Sequence, residues 1–228
     1  MHQQWNDLLF AHWRVSAEEL RKLVPTSLDL DLFDGESWVG VVPFWMSGVR
    51  FRLMPPIPGT STFPELNVRT YVRDRRQGLP GVYFFSLDAT NLLAVLGARA
   101  SFRLPYFHAK MNVHKEAANK IRYTSCRRSK RRPARFEASY WPLGEQFNPL
   151  PGTLEYFLAE RYCLYTVNVH GDALRCNIHH SPWHLRPAEG EIFQNSIALA
   201  AGILLPPDRP LLHYAEPQEV LVWPLEPA

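Results

Sequence analysis

Three runs between Phe63 and Met111 constrain the fold most. They read Phe-Pro-Glu-Leu-Asn-Val-Arg-Thr-Tyr-Val, Gly-Val-Tyr-Phe-Phe-Ser-Leu-Asp-Ala and Ala-Arg-Ala-Ser-Phe-Arg-Leu-Pro-Tyr-Phe-His-Ala-Lys-Met. Polar residues recur at every second position inside otherwise apolar stretches, which is the period of a strand with two unlike faces. On the first run Glu65, Asn67, Arg69 and Tyr71 share one face, and Leu66, Val68, Thr70 and Val72 share the other. On the second, Ser86 and Asp88 stand opposite Tyr83, Phe85 and Leu87. On the third, Arg99, Ser101 and Arg103 share a face. Beyond Pro105, so do Tyr106, His108 and Lys110. Two readings stay open: the polar face is the solvated outside of a half-buried sheet, or it lines a pocket in which each charge needs a partner or a ligand. Glu65 and Arg69 are four residues apart, roughly 13 Å along a strand, so neither can neutralise the other directly.

The rest of the chain repeats the strand theme. Leu28–Phe33 and Trp38–Met46 flank Asp34-Gly35 and predict a hairpin. Strands are expected at Trp5–Trp13, Pro64–Arg73, Gly81–Asp88, Ala98–Val113 and Val220–Trp223. Lys120–Arg127 pairs with Arg135–Trp141, and Tyr162–His170 with Ala173–His180 about Gly171-Asp172. Helices are short and few. Ser16 with Glu19 makes a capping box for Ala17–Val24, Thr153 opens Leu154–Arg161, and Gln194–Leu204 reads as a third. About ten strands joined by proline-broken turns, with 20 prolines in the chain, predict a mainly β domain. The form expected is an antiparallel sandwich or a closed or partly closed β-barrel, in one domain spanning residues 1–228.

Composition excludes several classes. At 228 residues, 46% apolar and 21% charged, the chain is an ordinary globular one. Three cysteines without Cys-x-x-Cys spacing argue against a disulfide framework and against zinc, and point to a reducing cytoplasm. The opening residues lack the features of a signal peptide, and the longest apolar run, Ile197–Leu205, is too short to span a bilayer. Eight basic residues fall between Ala117 and Phe136. With those eight set aside, 17 of the 25 basic residues face 22 acidic ones, so a mildly acidic body carries one basic hairpin at 127–132. No aromatic platform interleaves that hairpin, which disfavours nucleic acid, and interaction with a nucleic acid or a protein through residues 127–132 is kept as a secondary reading. No Gly-rich phosphate loop is present, adjacent His179 and His180 cannot share a metal, and Ser86 with Asp88 and His108 lacks a nucleophile elbow. No cofactor or metal is expected, and a homo-oligomer is left open.

The motifs Glu-Leu-Asn-Val-Arg-Thr-Tyr-Val at 65–72, Phe-Phe-Ser-Leu-Asp-Ala at 84–89, Ala-Arg at 98–99 with Leu-Pro-Tyr at 104–106, and Leu-Glu-x-Phe-Leu-x-Glu-Arg-Tyr at 154–162 together resemble the YqjF family of bacterial proteins. His180-Ser181-Pro182-Trp183 matches that family's His-x-x-Pro-Trp in part. The family is in turn similar to the acetoacetate decarboxylase-like fold, which implies an antiparallel β-barrel with a central pocket and flanking helices. The decarboxylases carry Gly-Arg-Glu and, five residues on, Pro-Lys-Lys-x-Ala. The same frame here holds Ala98-Arg99-Ala100 and Pro105-Tyr106-Phe107-His108-Ala109. Phe63-Pro64-Glu65 is similar to a Tyr-x-Glu strand of those enzymes. The Schiff-base lysine therefore falls on Tyr106, and a phenol forms no imine with a ketone. Lys110 lies about 13 Å further along the strand. The resemblance implies an inherited pocket without decarboxylase chemistry, binding a small organic acid or carbonyl compound through Glu65, Asn67, Arg69, Asp88, Arg99 and Tyr106. Glu65, Tyr106 and His108 are the catalytic candidates, for proton transfer beside a carbonyl.

Overall fold

A computed structural model describes residues 1–51, 54–56, 59–92, 95 and 102–228. Among the described residues fourteen strands are hydrogen-bonded into one sheet, more than the roughly ten expected. In chain order they are β1 His2–Asn6, β2 Leu8–Val15, β3 Leu28–Leu30, β4 Ser37–Arg50, β5 Phe63–Asp74, β6 Pro80–Ala89 and β7 Tyr106–Lys115. They continue with β8 Ile121–Arg127, β9 Arg135–Pro142, β10 Cys163–Val167, β11 Ala173–His179, β12 Leu185–Asn195, β13 Leu211–Ala215 and β14 Gln218–Pro227. Two helices with described bounds are α1 Ala17–Arg21 and α2 Leu154–Ala159. Ser16 caps α1 by accepting the Glu19 amide, and Thr153 caps α2 by accepting that of Tyr156, as the capping residues predict.

The strands close into two circuits that share β4, β5 and β6. One runs β4–β5–β6–β10–β11–β14–β1 and back to β4. The other runs β4–β5–β6–β7–β8–β9–β12–β13–β2 and back to β4. Each circuit encloses its own core. Leu9, Val41, Leu66, Val68, Tyr123 and Tyr140 fill the larger. Tyr71, Phe84, Leu87, Leu164, Ile178 and Val220 fill the smaller, where α2 also contributes Leu158. The shared strands are thus buried on both faces, and those faces look into different chambers.

Several expectations are corrected. β6 runs parallel to both β7 and β10, so the sheet is not wholly antiparallel. The run Trp5–Trp13 breaks at Asp7, whose φ is +47°. Four bonds hold that corner: Trp45 Nε1, Tyr214 Oη and Lys115 Nζ reach the Asp7 carboxylate, and Tyr140 Oη reaches its carbonyl. The turn at Asp34-Gly35 forms, with Phe33 bridged to Glu36, but β3 leaves the hairpin and pairs with β5 instead. Within its described residues the third run is strand from Tyr106 on; residues 98–101 lie outside the described residues. In place of a helix at 194–204, β12 extends to Asn195 and a single 3-10 turn spans Leu199–Ala201.

Candidate functional site

The polar face of β5 is not solvated. Glu65, Asn67 and Arg69 are 4%, 4% and 7% exposed and Tyr71 is fully buried. All four look into the smaller circuit. Opposite them on β4 the register sets Phe44 against Glu65, Val42 against Asn67 and Gly40 against Arg69. β2 continues the last row, with His12 paired to Gly40. A Cβ on Gly40 would come within 3.1 Å of His12 Nε2 and 3.4 Å of Arg69 Cγ. The missing side chain is what lets a ring from β2 and a guanidinium stem from β5 pass over β4 at one level.

His12 and Arg69 converge on Tyr71. His12 Nε2 lies 2.6 Å from Tyr71 Oη and Arg69 Nη2 3.4 Å from it. The tyrosine hydroxyl reaches the carbonyl of Leu158 at 2.8 Å, and Arg69 Nη2 donates to the same carbonyl at 3.1 Å. Leu158 sits in the last turn of α2, where carbonyls have no partner within the helix. Burial, then the neighbouring Arg69 charge, drives the His12 pKa well below its usual value, so the imidazole is neutral. Arg161 flanks the group, sandwiched on the rings of Phe157 and Tyr71 and ion-paired to Asp31 at 2.6 Å.

At the other end of the face, Tyr106 donates to Glu65 Oε2 at 2.8 Å. The Glu65 pKa is pushed up to about 7, chiefly by burial; hydrogen bonds from Tyr106 and Asn67 oppose the rise and the Asp88 charge adds to it. Burial and the adjacent Glu65 push the Tyr106 phenol well above its ordinary value. Three buried polar atoms along this face have no hydrogen-bond partner: Asn67 Oδ1, Arg69 Nε and His12 Nδ1. Among the described residues no carboxylate pairs with Arg69, and its hydrogen bonds go to Tyr71 and Leu158. A buried cation at one end and a near-neutral-pKa carboxyl at the other, each without an ionic partner among the described residues, is an arrangement able to hold a carboxylate and move a proton.

Asp88 is not part of this face. A register shift sets Val68 opposite Ser86 and Arg69 opposite Phe84, so Phe85 is an extra residue on β6. Asp88 pairs with Leu66 and looks into the larger circuit with the Leu66 face. There Arg127 Nε contacts both its oxygens, at 2.8 and 3.1 Å, and stacks at 4.0 Å on Phe107. Arg127, counted in the basic hairpin, is therefore a buried structural residue. Arg128, Lys130, Arg131 and Arg132 remain exposed.

Of the other expected residues, Arg99 lies outside the described residues. His108 shares the row of Ala89 and Glu65, two strands removed, about 10 Å in backbone spacing, and no hydrogen bond joins its ring to Glu65 or Tyr106. Lys110 is exposed, and none of the chain's lysines (Lys22, Lys110, Lys115, Lys120 and Lys130) is buried. His12, Gly40 and Tyr71 have no signature in local sequence as a set, since only strand pairing makes them neighbours. Among the described residues no cluster of three or more His, Cys, Asp or Glu could hold a metal ion, and no helix is long and apolar enough to cross a membrane. Two open clefts, of about 1010 and 710 Å³, contain none of these inward polar residues.

Comparison with known proteins adds a family and a fold. The family model DUF2071, described as an uncharacterized conserved protein, matches residues 2–219. The uncharacterized protein YqjF of Bacillus subtilis (strain 168) is 49% identical over 225 residues, covering 99% of this chain and 91% of its own. Among solved structures, acetoacetate decarboxylase from Legionella pneumophila superposes with a TM-score of 0.65 at 13% identity, over 98% of this chain and 86% of that one. The enduracididine biosynthesis enzyme MppR, complexed with pyruvate, gives 0.66 at 11% identity over 99% and 89%. At such identities the likeness is one of fold, and the fold is acetoacetate decarboxylase-like.

Proposed function

Since the chain belongs to the DUF2071 family and has the acetoacetate decarboxylase-like fold, we propose that it binds a small organic acid or carbonyl compound on the inward face of β5. Arg69 takes the carboxylate, and the Glu65–Tyr106 pair, four residues and roughly 13 Å along β5, meets a carbonyl at the far end of a longer acid. The observation that carries this reading is that Arg69 and Glu65, buried on one face with the unpartnered Asn67 Oδ1 between them, have no ionic partner among the described residues. A buried cation without a partner costs several kcal/mol, and a bound carboxylate relieves it at the Arg69 end. MppR in complex with pyruvate supplies the ligand class to try first. Imine chemistry is no part of the proposal, because Tyr106 stands at the lysine position of the decarboxylase motif and no lysine is buried.

Glu65, with a pKa near neutrality, further supports reversible proton transfer at the carbon beside the carbonyl, with Tyr106 as hydrogen-bond donor. Isothermal titration with pyruvate and acetoacetate tests the binding reading. Binding weakened about 10- to 100-fold in a folded Arg69→Met protein is expected, the worth of a charge-assisted carboxylate contact. No binding of any small acid, or binding that ignores Arg69, would overturn it.

A further inference from the structure

Between Glu65 and Arg69 a succession of aromatic rings in mutual contact runs beside the polar face of β5. Phe44 is paired with Glu65 across β4 and β5, and its ring lies 5.4 Å from that of Trp5. Trp5 stacks on Trp183 at 6.0 Å with 23° between planes, and Trp183 meets Phe10 edge-on at 5.3 Å. Phe10 in turn lies 5.0 Å under the Arg69 guanidinium. Starting from the acid end, the aromatic residues thus lead round to the cation, with Val42 of β4 in the same apolar cluster.

This wall has a chemical peculiarity. The indole N–H groups of Trp5 and Trp183 are both buried and neither has an acceptor. A buried indole ordinarily finds one, as Trp45 does on Asp7 at 2.9 Å. Adding Arg69 Nε gives three donor-only atoms around the path, against one acceptor-only atom, Asn67 Oδ1. The imbalance asks for a ligand rich in acceptors. Pyruvate, whose far end is a methyl group, leaves the indoles unanswered. Among the described residues no Lys or Arg lies over the Trp5 or Trp183 ring; Arg69 covers Phe10 and Tyr71. A second carboxylate at that end would be desolvated without a countercharge.

We infer that the acid held at Arg69 has a flat, unsaturated body that lies against Trp5, Trp183 and Phe10, with a neutral hydrogen-bond acceptor at the end remote from its carboxylate. The inference rests on the binding reading above and names the substrate class of that same site. An aromatic or conjugated oxo acid bearing a hydroxyl or carbonyl group is the chemistry that fits.

Isothermal titration of the intact protein with pyruvate, phenylpyruvate and 4-hydroxyphenylpyruvate tests it. Phenylpyruvate should bind about 10- to 100-fold more tightly than pyruvate, the worth of burying a ring. The added hydroxyl should gain about fivefold more. Trp183→Phe keeps the ring and removes the N–H; it, or Trp5→Phe in parallel, should abolish the hydroxyl's advantage and leave the phenyl preference. If pyruvate binds as tightly as phenylpyruvate, or if neither tryptophan change touches the hydroxyl gain, this inference falls while the binding reading stands. If none of the three acids binds, both fall together.

Discussion

Tyr106 donates its hydroxyl to Glu65 Oε2 at 2.8 Å, a bond that joins β7 to β5 across the intervening β6. It brings together a phenol and a carboxyl that burial has made reluctant to ionise. The carboxyl is the group whose proton is at stake near neutral pH.

That has a measurable consequence for stability. A carboxyl whose pKa is higher folded than unfolded binds its proton more tightly in the folded chain. For Glu65 the stabilisation is whole below the unfolded value of 4.5, declines as pH rises from there to about 7, and is absent above. The full amplitude is about 3 kcal/mol. Glu65→Gln should therefore flatten the dependence of Tm on pH between 4.5 and 7. Thermal melts across that range check it, and parallel curves for the two proteins would refute the assignment.

Two glycines should respond differently to alanine. At Gly81 a Cβ would stand 2.7 Å from the Cys163 carbonyl and 2.6 Å from the Tyr165 ring, where β6 and β10 run side by side. Backbone cannot yield as a side-chain tip can, so Gly81→Ala should cost about 2–3 kcal/mol, a fall in Tm of about 5–10 °C. Gly40→Ala meets only side chains, His12 and Arg69. It should cost about 1 kcal/mol or less, yet weaken acid binding by moving both groups off Tyr71. Calorimetry and titration on the two variants separate the effects.

The Asp88–Arg127 pair is almost fully buried on both sides. Removing one partner leaves the other charge stranded in the larger chamber, so Asp88→Ala or Arg127→Ala should each cost about 3–5 kcal/mol. Replacing both together, as Asp88→Leu with Arg127→Met, should cost much less than the two single losses added. Denaturant midpoints of the four proteins give the coupling. Simple additivity would mean that the pair does not act as a unit.

Borohydride reduction in the presence of pyruvate or acetoacetate should leave the intact mass unchanged. None of the five lysines is buried. An adduct mapped to Lys110, four residues from Tyr106 on β7, would restore the imine route and show that β7 shifts.

Much of the local architecture was legible because it depends on neighbours in sequence. The Ser16–Glu19 cap, the hairpins at 127–135 and 167–173, and the alternation of Glu65, Asn67 and Arg69 are all set by residues within a few positions of one another. What could not be read depends on partners far along the chain. β3 follows a good turn yet pairs with β5, and the parallel neighbours of β6 come from residues 106 and 164. Asp88 was misplaced for a related reason. Alternation counts residues, but a bulge at Phe85 changes the count, and its position is visible only once β5 lies beside β6.

By itself, then, the sequence determined that β5 has a polar face and an apolar one, and that no lysine occupies position 106. Side-chain chemistry and the two-residue period of a strand suffice for that. Only the tertiary structure decided that both faces are buried, in two chambers, and that the polar face turns toward α2 and the aromatic wall while Asp88 turns the other way. The reason is physical: a strand's period says which side chains stand together, and ring closure through partners more than a hundred residues distant says what they face. Arg69 and Glu65 became a candidate site when that closure took them out of water without a counter-ion for either among the described residues.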